Sequence, residues 1–310
     1  RIKSSFSPDV ILSQYHAYHF ASVVGNYLSK ILKVPHVIRS HDIFLDANIY
    51  PFPINWIYKL SYTQIFRAIS TSDIFYVNTS EMKQYLRSLR RLKEIDIKIH
   101  PNGIDSSMFF PSQKQDELKE KYNCENILFF AGLLSENYGL QHLIKAMPVL
   151  LKQYKDTHLL IVGNGPYRNT LERFVKTHNL KDQVHLLGIR PHTEIPFYVN
   201  NCDIGIGLLK YQIYLRYVIP VKCLEYMACK KPFITTACST DIIKDDDVGL
   251  LLNKEFSQNE LVNKISNLID DKSLRKEMGN RGYLKIQERF RWDKLMNQLN
   301  GDLLNLTNKA

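Results

Sequence analysis

Lys222, Glu225, Tyr226 and Cys229 fall at i, i+3, i+4 and i+7 within the stretch PVKCLEYMACKKPFITT, residues 220–236. At that spacing they share one face of a helix, with Val221, Leu224 and Ala228 on its buried side. A carboxylate so placed can accept both vicinal hydroxyls of a ribose, and an ammonium one turn away can neutralise a diphosphate. The plainer alternative is a solvated Lys222–Glu225 pair worth about 0.3–0.5 kcal/mol. Position separates the two. A helix that follows a parallel strand of a doubly wound sheet opens its N-terminus onto the crevice at the strands' carboxyl ends, where phosphates and ribose bind.

The local punctuation supports a short helix running into a strand. Pro220 suits the first helical position, and Lys230-Lys231-Pro232 ends the helix because the residue before a proline resists the α region. Around it the chain alternates strand and helix, the pattern of a parallel α/β sheet. In the first half, strands are expected at 9–13, 36–40, 73–78 and 97–100, with helices at 17–32, 53–69 and 81–95. Periodicity lapses from 104 to about 121, which reads as a linker. The second half places strands at 126–131, 158–162, 184–187, 204–209, 233–236 and 249–252. Its helices fall at 139–151, up to 178, at 193–200, and after a Ser257-x-x-Glu260 capping box up to 269. Helical segments then run to about 307.

Composition narrows the partners. The chain has 310 residues, 45% hydrophobic and 23% charged, with a formal net charge of +10. This describes a globular protein with material for two cores and an attraction to anions. Five cysteines (124, 202, 223, 229 and 238) without CxxC spacing suggest neither a disulfide framework nor a zinc site, and a reducing cytosol suits them. No apolar run is long enough to span a bilayer, and the first twenty residues are too polar for a signal peptide. The first residue is Arg1, so residues upstream are expected.

Several segments, read together, carry a resemblance. PNGID at 101–105 with Phe110-Pro111, GNGP at 163–166, the PVKCLEYMACKKPFITT stretch, PDVI, VPHVIRSHD, SDIFYVNTS and the tail from Ser273 to Leu295 occur in the order seen in family 4 retaining glycosyltransferases of the GT-B fold. The chain resembles that family over nearly its whole length. The resemblance implies two Rossmann-like domains facing across a cleft, the N-terminal one apparently lacking its first strand or strands. It places an acceptor-side domain at 1–112, a nucleotide-sugar domain at 113–290 and a helix crossing back at 291–310. It also implies that Glu225 holds the donor ribose, that Gly132, Gly163, Gly165 and Pro166 line the nucleotide pocket, and that Gly188, Ile189 and Arg190 lie near the base. Pro220 and Val221 open the donor helix. Neither metal nor cofactor is implied beyond the nucleoside diphosphate sugar itself.

The chain departs from the family's commoner pattern at two places. Tyr217 stands where an earlier glutamate would fall, although a subset of the family carries the Pro-x-Lys form seen here. The Gly-Arg-Leu…Lys-Gly loop appears as Gly132-Leu133-Leu134…Tyr138-Gly139, without either cation and with Glu136 added. Lys210, Arg216 and Lys222 are the replacement candidates, Lys222 best placed by pattern. On the acceptor side His41, beside Asp42, is a candidate contact, or else a histidine held by local hydrogen bonds. His16 and His19 make a poor metal site. Lys83, Arg87, Arg90 and Arg91 would concentrate on one side of the 81–95 helix, either as a solvated face or as a patch for anionic lipid.

The expected function is therefore retaining transfer of a sugar, of hexosyltransferase type, from a nucleotide-sugar to a glycan, a lipid-linked glycan or a small molecule. It would take place in the cytoplasm or peripherally on the inner membrane face. Nucleic acid is not an expected partner. The competing readings are a catalytically silent nucleotide-binding or interaction module and a sugar-nucleotide epimerase of the same fold.

Overall fold

The computed structural model describes residues 7–15, 20–40, 63–92, 94–112, 116–210, 219–236, 241–243 and 247–308. The chain divides into two compact units. One holds the described residues up to Asn102, with Ile219 and the chain from Asp293 onward; the other holds Gly103 to Lys210 and Pro220 to Trp292. The division thus falls at Gly103 rather than near Gln113. Ile104 bridges Arg291 in parallel, and its carbonyl accepts from Trp292 N–H at 3.1 Å, which fastens the expected linker to the second unit.

The first unit is a four-stranded parallel sheet ordered β1-β2-β3-β4. Its strands are β1 (Ile11–Tyr15), β2 (His36–Ser40), β3 (Ile74–Val77) and β4 (Ile97–Ile99). The apolar runs that suggested buried strands are the reason both sheet faces can be covered: Val37, Ile38 and all of β3 are buried. Helix α1 (Ala21–Leu32), a helix α2 over 63–70 and α3 (Ser80–Ser88) connect them. Thr79 caps α3 by accepting from Met82 N–H at 3.2 Å. The expected single basic helix to residue 95 is not formed. Extended backbone at Leu89 ends α3, and a separate short turn covers Arg90–Leu92, so Lys83 and Arg87 share no continuous helical face with Arg90.

The second unit is a six-stranded parallel sheet ordered β10-β9-β8-β5-β6-β7. The strands are β5 (Asn126–Ala131), β6 (Thr157–Val162), β7 (Val184–Gly188), β8 (Ile204–Gly207), β9 (Phe233–Thr235) and β10 (Leu250–Leu251). Between them run α4 (Glu117–Tyr122), α5 (Leu140–Leu150), α6 (Arg168–Thr177), α7 (Ile195–Asn201) and α8 (Val221–Ala228). Helices α9 (Gln258–Asp270) and α10 (Lys272–Lys285) follow. Leu128, Phe130, Leu143, Ile161, Ile204, Ile206 and Leu261 belong to its main core. Ser257 caps α9 through Glu260 N–H at 3.1 Å, but the Glu260 carboxylate turns to Asn253 instead of closing the capping box.

The terminal helix α11 (Trp292–Thr307) belongs to the first unit from Asp293 onward. Leu299 packs with Val37, Ile74 and Tyr76. Tyr76 Oη and Lys98 Nζ both donate to Asp302, at 2.7 and 2.6 Å, and His100 Nε2 donates to the Leu295 carbonyl at 3.1 Å. Among the described residues, no helix is long and apolar enough to cross a membrane.

Candidate functional site

In the second unit, neighbouring strands bring three glycine turns together. Gly132 follows β5, Gly163 follows β6, and Gly188 ends β7. Gly132 N–H donates to Val162 O at 3.0 Å and Gly163 N–H to Gly188 O at 2.8 Å, while Leu134 N–H reaches Asn164 O at 2.9 Å. Gly163 is the tightest point. Its φ is +133°, and a Cβ there would lie 1.9 Å from Gly132 O, so only glycine lets the two turns touch. A Cβ on Gly165 would likewise meet Leu134 O at 2.4 Å. Gly165 therefore supports the Gly132–Leu134 turn from behind, and Pro166 is exposed.

These turns enclose a cavity of about 250 Å³ lined by Gly132, Gly163, Ile189, Arg190, His192 and Glu225, with Ala131, Val162 and Ile195. Ile189 stands 74% exposed, a flat apolar surface for a planar ring.

Helix α8 supplies the carboxylate. Pro220 lies just before the helix rather than within it, with φ −64° and ψ 119°, and its carbonyl accepts from Cys223 N–H at 2.9 Å. Glu225 is 8% exposed, and its Oε1 accepts from His192 Nε2 at 3.2 Å. Burial raises the Glu225 pKa, opposed first by the His192 hydrogen bond and charge and then by Lys222.

Lys222 does not form the surface pair with Glu225. Its Nζ lies 4.2 Å from the Phe130 ring centroid and 3.9 Å from that of Tyr138, buried and without a hydrogen-bond acceptor among the described residues. An ideal Cβ on Gly132 would stand 3.4 Å from it, so the ammonium sits directly beside the Gly132 turn. Burial lowers its pKa to about 8, against smaller raising effects of Cys223 and Glu225. A buried cation with two aromatic faces and no ion-pair partner within 4 Å among the described residues is suited to receiving an anion.

Other expected positions differ. Tyr226 does not share the outward face: it is buried, and its hydroxyl donates to the carbonyls of Phe129 and Ile206, both at 3.1 Å. Gly205 makes room for it, since a Cβ there would fall 2.4 Å from the ring. Cys229 is buried as well, whereas Val221, expected inside, is 45% exposed. The helix is enclosed on nearly every side from Cys223 onward, so a simple two-faced reading fails. Lys210 lies 3.9 Å from Glu136, both side chains open to solvent, and lines a cavity other than that of Glu225. Arg216, Tyr217 and His41, with Asp42, His16 and His19, lie outside the described residues.

His192 was not legible beforehand. It stands in a short turn before α7, its ring 5.4 Å from that of Phe109, and no spacing in the sequence links it to Glu225.

Comparison with known proteins agrees with this architecture. A family model described as glycosyl transferases group 1 matches residues 111–285, and one described as glycosyltransferase family 4 matches residues 1–107. An uncharacterised glycosyltransferase of Methanocaldococcus jannaschii is 26% identical over 281 residues, 87% of this chain and 68% of its own. The alpha-D-kanosaminyltransferase of Streptomyces kanamyceticus is 24% identical over 169 residues, 53% of this chain; the matched part is 42% of its own length. Anabaena HepE in complex with UDP has a TM-score of 0.81 at 20% identity, covering 98% of this chain and 81% of that one. Sucrose-phosphate synthase from Thermosynechococcus elongatus has a TM-score of 0.75 at 19% identity, with 99% and 76% covered. The shared fold is GT-B, two Rossmann-like halves with parallel sheets.

Proposed function

The chain belongs to the group 1 glycosyltransferases, and from that premise we propose that it transfers a hexosyl group from a nucleoside diphosphate sugar to a hydroxyl acceptor, a glycan or lipid-linked glycan, with retention of configuration. The observation that carries the reading is the buried Lys222 ammonium, lacking an acceptor, beside a glycine-walled cavity that also holds a buried carboxylate. In this reading the ribose hydroxyls donate to Glu225, replacing or sharing the His192 contact. The base lies against Ile189 and Arg190, and the diphosphate reaches the Gly132 turn.

As the bond from the anomeric carbon to the diphosphate oxygen breaks, negative charge grows on the leaving group. Lys222 already sits where that charge develops, in a low-dielectric setting, so it stabilises the departing diphosphate more than the intact donor. Lys222 thus stands in for the two cations that the Gly132–Gly139 loop lacks, and Lys210 is left out of the site. The acceptor is taken by the N-terminal half.

Calorimetric titration with UDP, GDP and ADP, followed by product analysis with the matching nucleotide-sugar, tests the reading. Expected are binding of one nucleotide, sugar transfer to an added acceptor with the anomeric configuration kept, and loss of both on Glu225→Ala with the fold intact. Binding without transfer would favour a silent nucleotide-binding module. Conversion of the nucleotide-sugar without any acceptor would favour an epimerase. Unchanged turnover in Glu225→Ala would remove that residue from the site.

A further inference from the structure

The same sheet has a second concavity at its opposite end. The donor cavity lies beyond the carboxyl ends of β5 and β6, whereas Cys202-Asp203 immediately precede β8 and Lys230-Lys231-Pro232 immediately precede β9. These residues, with Lys272, Arg275, Lys276 and Asn280 of α10, line a cavity of about 410 Å³. That volume falls within the roughly 300–1,000 Å³ usual for small-molecule sites.

Its charge is one-sided. Five cationic side chains face one carboxylate, and that carboxylate is already committed. Asp203 takes Lys119 Nζ at 2.8 Å and the Ile127 N–H at 2.9 Å, and stands 3.9 Å from Arg275. Arg275 in turn closes the C-terminus of α9 through the Leu268 and Ile269 carbonyls. Lys230 rests 5.0 Å from the centroid of the Tyr283 ring, while Lys272 and Lys276 stay exposed with no acceptor among the described residues.

The placement on α10 is itself unusual. Lys272, Arg275 and Lys276 occupy the first turns of a 14-residue helix, where the helix dipole disfavours cations, and the Asp271 carboxylate caps that end by accepting from Leu274 N–H at 2.8 Å. The wall is also preformed: a Cβ on Gly279 would lie 2.0 Å from Lys230 O, so α10 touches the backbone of the Lys230 turn directly. Three cations gathered at that end of the helix, against the single capping carboxylate of Asp271, are expected where a ligand supplies further negative charge.

We propose that this cavity is a second anion site, separate from the donor cavity, which takes a phosphate-bearing ligand between the Lys230-Lys231 turn and the first turns of α10. Its contacts would be charge-assisted hydrogen bonds from Lys272, Lys276 and Lys230, with Asn280 as a neutral donor.

The test uses the full chain carrying Lys272→Ala and Lys276→Ala together, both exposed positions whose loss spares the core. A control with Lys152→Ala and Lys155→Ala changes net charge equally at another surface. Inorganic pyrophosphate is titrated calorimetrically, and vesicles of phosphatidylcholine with and without phosphatidic acid are sedimented. Expected is a loss of pyrophosphate affinity of about tenfold or more in the α10 double variant and none in the control. If only the binding of phosphatidic acid vesicles falls, the site stands and its phosphate comes from a lipid headgroup. Unchanged binding of both probes, or an equal loss in the control, overturns it. Donor-site pyrophosphate binding is common to all three proteins, so failure of the glycosyltransferase reading leaves the comparison intact.

Discussion

His192 Nε2 lies 3.2 Å from Glu225 Oε1, although the two residues are 33 positions apart in the chain. The histidine therefore holds the oxygen that the proposed function gives to the ribose. Glu225 must be ionised to accept two hydroxyls, and burial raises its pKa while His192 pulls it back down.

Donor binding should accordingly weaken as pH falls through the raised Glu225 pKa, and the weakening should begin at higher pH in His192→Ala. The folded pKa lies above the unfolded one, so Glu225 favours folding most at low pH, and that contribution is lost as pH rises. Dissociation constants for the nucleotide-sugar, measured across the acid range in both proteins, check this. Coincident acid limbs would mean that the contact does not tune the carboxylate.

Lys222 should set the alkaline limit of donor binding. With its pKa lowered to about 8 in the folded chain, the ammonium is fully present below that pH and is lost above it. Affinity for a nucleotide-sugar should be level below pH 8, then fall by up to about tenfold per unit from pH 8 to 9. Lys222→Met should bind weakly with no such fall. The same lowered pKa has a consequence for stability. The unfolded lysine holds its proton to higher pH, so wild-type stability should rise between pH 8 and 10, and the Met variant should lack this rise in chemical denaturation. A wild-type donor affinity that stays flat to pH 9 would remove Lys222 from the diphosphate site.

The glycine contact at the cavity wall is a stability prediction. In Gly163→Ala the new methyl would lie 1.9 Å from Gly132 O, at a φ of +133° that alanine rarely adopts. The two turns must separate, at a cost of about 3 kcal/mol or more. Denaturant unfolding reads the loss, and donor binding should fall with it because the turns form the cavity. A variant within 0.5 kcal/mol of wild type would contradict the closeness of these turns.

Much of the fold was legible because burial on both sheet faces writes itself as short apolar runs: 36–40 and 126–131 were placed without error. The end of α3 at Ser88 was not, because the charged sequence after it has helical spacing, while an extended Leu89 and a separate turn ended the helix. Tyr226 was misjudged for a related reason. Its spacing suits the outer face, yet the space left by Gly205 and two strand carbonyls beyond it draw the ring inward.

The sequence by itself determined an alternating α/β chain, glycines at three strand ends and a lysine one turn before a glutamate, since these depend on residue type and short-range spacing. Only the tertiary structure decided that the lysine would face two rings with no acceptor among the described residues, that His192 would meet the glutamate, and that Lys210 would lie beside Glu136. The reason is physical. Which charges lose water, and which find partners, depends on groups brought together from distant strands, and no local spacing encodes that.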